Sequence, residues 1–235
     1  MTPFSTLRSV AAAVAVLVAS SAQAALVTSA FGGTVVDFSQ FTFCTSFGAG
    51  TVGCQSGTNV GALVGEPIIF SATNVGSFND RGELYNASWG LVSNGNWDGG
   101  RLGFAGFNNQ SQSANLSMTF TFATGVNSVG GLINYGVVGA TPIVEALALD
   151  GVTVLESYDL SGAPISTPGG LNVGGFRGIA RASDDIFGFR IRGGYVPVVD
   201  DLTFARGVPV PEPSTYALFA LGLAGVGLAV RRRRT

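Results

Sequence analysis

The stretch Asn115-Leu-Ser-Met-Thr-Phe-Thr-Phe122 decides the fold. Leu116, Met118, Phe120 and Phe122 alternate with Ser117, Thr119 and Thr121, so one face is apolar and the other hydroxylated. A period of two with one wet face belongs to a half-buried antiparallel strand. Working outward, comparable runs fall at residues 34–43, 67–72, 101–107, 126–135, 143–149, 152–158, 173–180, 186–192 and 196–204. Turn formers separate them: Asn94-Gly95, Asp98-Gly-Gly100, Asp150-Gly151, Pro168-Gly-Gly170 and Gly193-Gly194. Asp150-Gly151 joins two alternating runs and predicts a tight hairpin with a two-residue primed turn. Thirty-five glycines penalise any long helix. About ten short strands with regular turns predict an all-β chain, a single β-sandwich or jelly-roll domain.

Both ends differ from this body. Arg8, the apolar run 10–18 and Ser20-Ser-Ala-Gln-Ala24 follow the order of a secretory signal peptide, with cleavage expected after Ala24. The expected division is therefore signal peptide 1–24, β-domain 25–206 and a C-terminal segment 207–235. Export makes the cysteines legible. Cys44 and Cys54 flank a Gly/Ser/Thr-rich loop, and in an oxidising compartment such a pair closes a local disulfide.

Charge and composition exclude several chemistries. Between residues 25 and 206, thirteen acids face seven arginines, a balance of −6, and the chain contains no lysine. Such a body offers no footprint for nucleic acid. The absence of histidine removes the Ser-His-Asp and Cys-His constellations and the usual zinc sets. Without lysine there is no Schiff-base or P-loop chemistry. Carboxylate pairs remain for a glycosidase, drawn from Glu145, Glu156, Asp159, Asp184, Asp185, Asp200 and Asp201, but no spacing selects two of them. The chain is therefore read as no enzyme.

Two features of the body invite ligands. Residues 86–109 form a Gly/Asn-rich stretch holding Trp89 and Trp97. Aromatic faces beside amides are a common grip for sugar rings. The area a tryptophan buries favours the other reading, that both plug the core. Strand alternation sets Asp200 on the face of Leu202 and Phe204, and an acid on a core face must be hydrogen-bonded or bind a cation. Two readings stand open: backbone capping by Asp200 alone, or a structural calcium shared with Asp37, should the terminal strands pair. No other cofactor is expected.

The C-terminal segment has three parts. Val210-Pro-Glu-Pro-Ser-Thr215 is followed by an apolar run of fifteen residues, 216–230, and then Arg231, Arg232, Arg233 and Arg234. As a helix the run would be about 22 Å long, short for a bilayer core. The arginines would stay cytoplasmic as a membrane stop. The two prolines hold the segment before it extended. This arrangement resembles the PEP-CTERM sorting signal of exported proteins from Gram-negative bacteria that make extracellular polysaccharide. The resemblance implies that an exosortase reads Pro211, Glu212 and Pro213 and cuts nearby, after a membrane-tethered intermediate held by the C-terminal transmembrane helix.

A weaker resemblance covers the body. Val36-Asp-Phe38, Leu116–Phe122 with Val126–Gly131, Gly175–Ile179 and Val199–Phe204 look like segments of the all-β domains common among PEP-CTERM proteins. Many such domains resemble the jelly rolls of carbohydrate-binding modules. Together these imply a non-catalytic protein of the cell surface or extracellular matrix. Its partners would be the secretion machinery, an exosortase and exopolysaccharide. Two alternatives stand beside it: a secreted glycan-active enzyme using paired carboxylates, and a permanently membrane-anchored structural protein.

Overall fold

The computed structural model describes residues 24–45, 51–73, 80–98 and 104–207. The expected signal peptide before Ala24 and nearly all of the C-terminal segment lie outside them. Strands hold 52% of the described residues: β1 (Ala25–Val27), β2 (Thr34–Val36), β3 (Thr58–Asn59), β4 (Ile68–Ala72), β5 (Asp80–Tyr85), β6 (Ser88–Gly90), β7 (Asn96–Asp98) and β8 (Phe104–Asn109). The second half adds β9 (Ser117–Val126), β10 (Ser128–Gly136), β11 (Pro142–Leu147), β12 (Val154–Asp159), β13 (Gly175–Ala180), β14 (Ile186–Gly193) and β15 (Tyr195–Ala205). Between the strands lie turns and loops, whose only helical pieces among the described residues are short 3-10 turns.

Two antiparallel sheets carry the fold. The first runs β1-β13-β10-β15-β8-β5, with β2 also paired to β15; the second runs β12-β11-β14-β9-β4-β3. Successive long strands alternate between them: β9 lies in the second, β10 in the first, β11 and β12 in the second, β13 in the first. The opening stretch behaves as its alternation predicts. Met118, Phe120 and Phe122 are buried in the core, while Thr121 faces solvent. Phe120 lies 5.6 Å from Phe70 and 5.9 Å from Phe38, ring centre to ring centre. Phe122 meets Phe204 of the opposite sheet at 5.3 Å. Tilted aromatic pairs at such spacings add about 0.5–1.5 kcal/mol each beyond their buried area.

Three local expectations change. The run 34–43 is not one strand: β2 ends at Val36 and Phe38 takes a left-handed conformation with φ 53°. Asp37 explains the break, because its Oδ1 accepts from the Ser39 N–H at 3.1 Å and turns the chain. The Asp150-Gly151 turn is also wider than two residues. Ala148 N–H donates to the Thr153 carbonyl, and Asp150 Oδ1 accepts from the N–H groups of Val152 and Thr153. An aspartate that satisfies two backbone donors holds four residues in the loop, and Gly151 supplies the positive φ of 69°.

The third change lies in β15. Leu132 opposes Asp200 and Gly130 opposes Thr203, so Asp201 and Leu202 together face the single Gly131. This is a β-bulge, with Asp201 at φ 48°. Alternation resets there. Val199, Leu202 and Phe204 all enter the inter-sheet core, whereas Val196 and Val198 belong to a second apolar cluster. Asp200 therefore lies on the face opposite Val199, not on the core face with Leu202 and Phe204.

That second cluster covers the outer face of the first sheet. The β6–β7 hairpin sets Trp89 directly opposite Trp97 and packs both, with Leu91, against Val196 and Val198. Its tip is fastened by Asn94, whose Nδ2 donates to Asn134 Oδ1 and the Tyr135 and Ile165 carbonyls at 2.8–3.0 Å. Gly95, at φ 91°, is needed: a Cβ there would lie 2.4 Å from the Gly170 carbonyl oxygen.

Cys44 and Cys54 form the expected disulfide, both buried, with Cα atoms 5.7 Å apart. Their carbonyls accept from the N–H groups of Asn86 and Leu84, so the bridge also docks this loop onto β5. A chain crosslink across a separation of ten residues removes about 3 kcal/mol of unfolded-state entropy. The double substitution Cys44→Ser/Cys54→Ser is expected to lower unfolding free energy by about that amount. Urea denaturation with far-UV detection would show it as a lower midpoint with a slope no shallower than the parent's, since the freed unfolded chain exposes more surface.

Candidate functional site

A cleft of about 230 Å³ opens on the outer face of the first sheet. Tyr85 at the end of β5, Trp89 in β6, Asn108 in β8, Gln110 just beyond it and Tyr195 at the start of β15 all line it. Four separate elements thus converge, and none of the lining residues is charged. The Trp89 indole N–H donates to the Val196 carbonyl at 3.3 Å, and Tyr85 meets the Trp89 ring edge-on at 5.6 Å. Trp89 is 7% exposed and Trp97 only 2%. Trp97 is thus a packing residue of the second cluster, and Trp89 forms the floor of the cleft. The half-buried Tyr85 and Tyr195, together with Gln110, complete the site; sequence reasoning did not single them out.

The backbone around the cleft is strained. Val92 and Val196 line it with φ of 57° and 44°. A β-branched residue in the left-handed region is an outlier that costs roughly 1–2 kcal/mol. Such strain concentrates where a fold over-determines the geometry of a ligand site.

Of the acids named for a glycosidase, Glu145, Glu156, Asp159 and Asp185 are held by arginines or hydrogen bonds, and Glu156 and Asp185 share one arginine. Glu145, on the outer face of the second sheet, holds Arg190 at 2.6 Å and Arg192 at 2.7 Å. Arg181 binds both Glu156 and Asp185, and its guanidinium keeps the Asp185 carboxyl below the usual range. Asp159 accepts from the Thr141 hydroxyl and the Ser161 N–H, which hold its carboxyl low, and it caps the 3-10 turn that follows β12. Asp184 Oδ1 lies 3.4 Å from the Gly207 N–H. Glu66, beyond that set, is paired with Arg206 at 2.6 Å.

Asp37, Asp200 and Asp201 make no ion pair among the described residues. The terminal strands do pair, Leu202 with Val36 and Phe204 with Thr34, and this brings Asp37 beside the bulge. Asp200 is 8% exposed, and burial pushes its carboxyl up to about 7. The Asp201 N–H, donating to Asp200 Oδ1 at 2.8 Å, works against that shift, while the charges of Asp201 and Asp37 reinforce it. Burial and then Asp37 also raise Asp201. Asp37, Asp200 and Asp201 feel one another's charge, but among the described residues no three acid, histidine or cysteine side chains are placed to hold a metal ion together. Backbone capping is the role of Asp200 that has a bond behind it.

The sorting-motif residues Pro211, Glu212 and Pro213 and the arginines Arg231, Arg232, Arg233 and Arg234 lie outside the described residues. Among those described, no helix is long and apolar enough to cross a membrane. The family model for the PEP-CTERM protein-sorting motif matches residues 209–234. The motif marks an exported protein of the cell surface or exterior that an exosortase processes. The chain thus carries a PEP-CTERM sorting signal at its C-terminus, which supports reading it as the substrate of an exosortase. No curated protein and no solved structure matches the chain.

The raised Asp200 carboxyl carries a pH signature. The folded chain holds this proton more tightly than the unfolded one, so the contribution to stability is full below about pH 4 and disappears as pH rises through about 7. At about 1.4 kcal/mol per unit, the loss is at most about 4 kcal/mol. Asp200→Asn is expected to raise the melting temperature at pH 8 and leave it little changed at pH 4, flattening the difference seen in the wild type. The same melts in calcium and in chelator separate the two roles of Asp200. Coincident curves match capping alone, and a rise in calcium would restore the shared cation.

Proposed function

We propose that the body is a non-catalytic component of the cell surface or extracellular matrix that associates with exopolysaccharide. On this reading a signal peptide leads it out, and a C-terminal helix tethers it to the inner membrane until an exosortase acts at Pro211-Glu212-Pro213. The alternation of consecutive strands between facing sheets supports a jelly-roll-like β-sandwich as its scaffold. The observation that carries the non-catalytic reading is the engagement of the acids. A retaining or inverting glycosidase needs two carboxyl groups about 5–10 Å apart, flanking an open substrate path. Here Glu145, Glu156, Asp185 and Glu66 are each clamped by arginine, and Glu145 is 2% exposed beneath two of them. Asp37, Asp200 and Asp201 crowd one strand junction, with Asp200 buried.

Intact mass of the protein from its producing strain tests the processing steps. Loss of residues 1–24 and of everything beyond about Pro213 is the expected result. Retention of Arg231 to Arg234 would favour the permanently anchored alternative. Incubation with the strain's own exopolysaccharide tests the other arm: no new reducing ends are expected, and release of them, abolished by replacing one acid, would make the protein an enzyme.

A further inference from the structure

We propose that the cleft between Tyr85, Trp89 and Tyr195 is a saccharide subsite for one pyranose ring of a neutral glycan. This rests on the reading of the body as polysaccharide-associating and gives that reading a place. A pyranose presents C–H faces to aromatic rings and a rim of hydroxyls to amides. The cleft supplies both, with aromatic side chains from Tyr85, Trp89 and Tyr195 and amides from Asn108 and Gln110. At about 230 Å³ it lies below the range of about 300–1,000 Å³ typical of sites for drug-sized ligands, so it suits a single ring.

The neutral class follows from charge. The lining carries none, and the body around it has a balance of −6, which repels polyanions. Preorganisation follows from the hairpin. Trp89 is held by its bond to the Val196 carbonyl, and two valines in left-handed backbone shape the rim and floor. The position also suits a surface protein. Tyr195 begins β15 and Ala205 ends it, so the cleft lies roughly 30 Å along the strand from where the chain leaves toward the sorting motif. A glycan could occupy this end while the other is still tethered.

Affinity electrophoresis tests the site, in native gels cast with exopolysaccharide from the producing strain, with dextran and mixed-linkage β-glucan as neutral probes and alginate as the acidic one. The wild-type protein is expected to be retarded by the strain's polysaccharide and by at least one neutral probe, but not by alginate. Tyr195→Ala is expected to raise the dissociation constant about tenfold. Gln110→Ala, at an exposed position that leaves packing intact, is expected to raise it severalfold with an unchanged melting temperature. Retardation that neither variant alters would overturn the cleft and leave the polysaccharide reading standing. Free migration in every gel would overturn both. Retardation by alginate alone would overturn the neutral class.

Discussion

The contact between Phe122 and Phe204 joins the centres of two sheets, and the remaining structure depends on it. Phe122 belongs to β9, flanked by β14 and β4; Phe204 belongs to β15, flanked by β10 and β2 at that level. Neither sheet could bury its apolar face alone, because one face of each strand must find a partner layer. Once these faces meet, Phe38, Phe70 and Phe120 fill the space beside them. The register of both sheets is then set, since a slip by one residue would turn every buried side chain of β9 to water.

β15 has a second demand placed on it. Its C-terminal half feeds the inter-sheet core, and its N-terminal half supplies Val196 and Val198 to the cluster under the β6–β7 hairpin. One regular strand cannot deliver Val199, Leu202 and Phe204 to a single face, because 199 and 202 differ in parity. The bulge at Asp201 resolves this by inserting one residue opposite Gly131. Aspartate tolerates the left-handed backbone better than most residues. The consequence is a neighbourhood of three carboxylates, with Asp200 buried beside Asp201 and Asp37. The electrostatic tension there is thus a by-product of a strand that serves two layers.

Much of this was legible before the structure. The strands β4, β8 to β15, the buried face of β9 and the Cys44–Cys54 bridge all follow from alternation, turn residues and an exported chain's cysteines. The face of Asp200 was not, because a bulge leaves no mark in a pattern of period two. Phe38 was absorbed into a strand because its neighbour Asp37 looks like an alternating polar residue, not a turn former. The cleft was the least legible part. Trp89 drew notice by its type, yet Tyr85 and Tyr195 stand 110 residues apart and only the pairing of β5 with β8 and β8 with β15 brings them together. A short hairpin rich in Gly, Asn and Ser has too few alternating positions to reveal which face it buries.

Charge shows how the body and its tail divide the work. In the body, six of the ion-pair contacts tie arginines to acids within the fold, so most of its positive charge is spent on structure. The tail concentrates four arginines in succession and places a single acid between two prolines. The sorting motif at residues 209–234 is thus separate in sequence from the ion-paired body. On the body's surface the uncharged, aromatic-floored cleft stands apart from the ion-paired strand faces around it. A polymer with neutral rings would find there apolar stacking surface without meeting the net negative field that keeps acidic chains away.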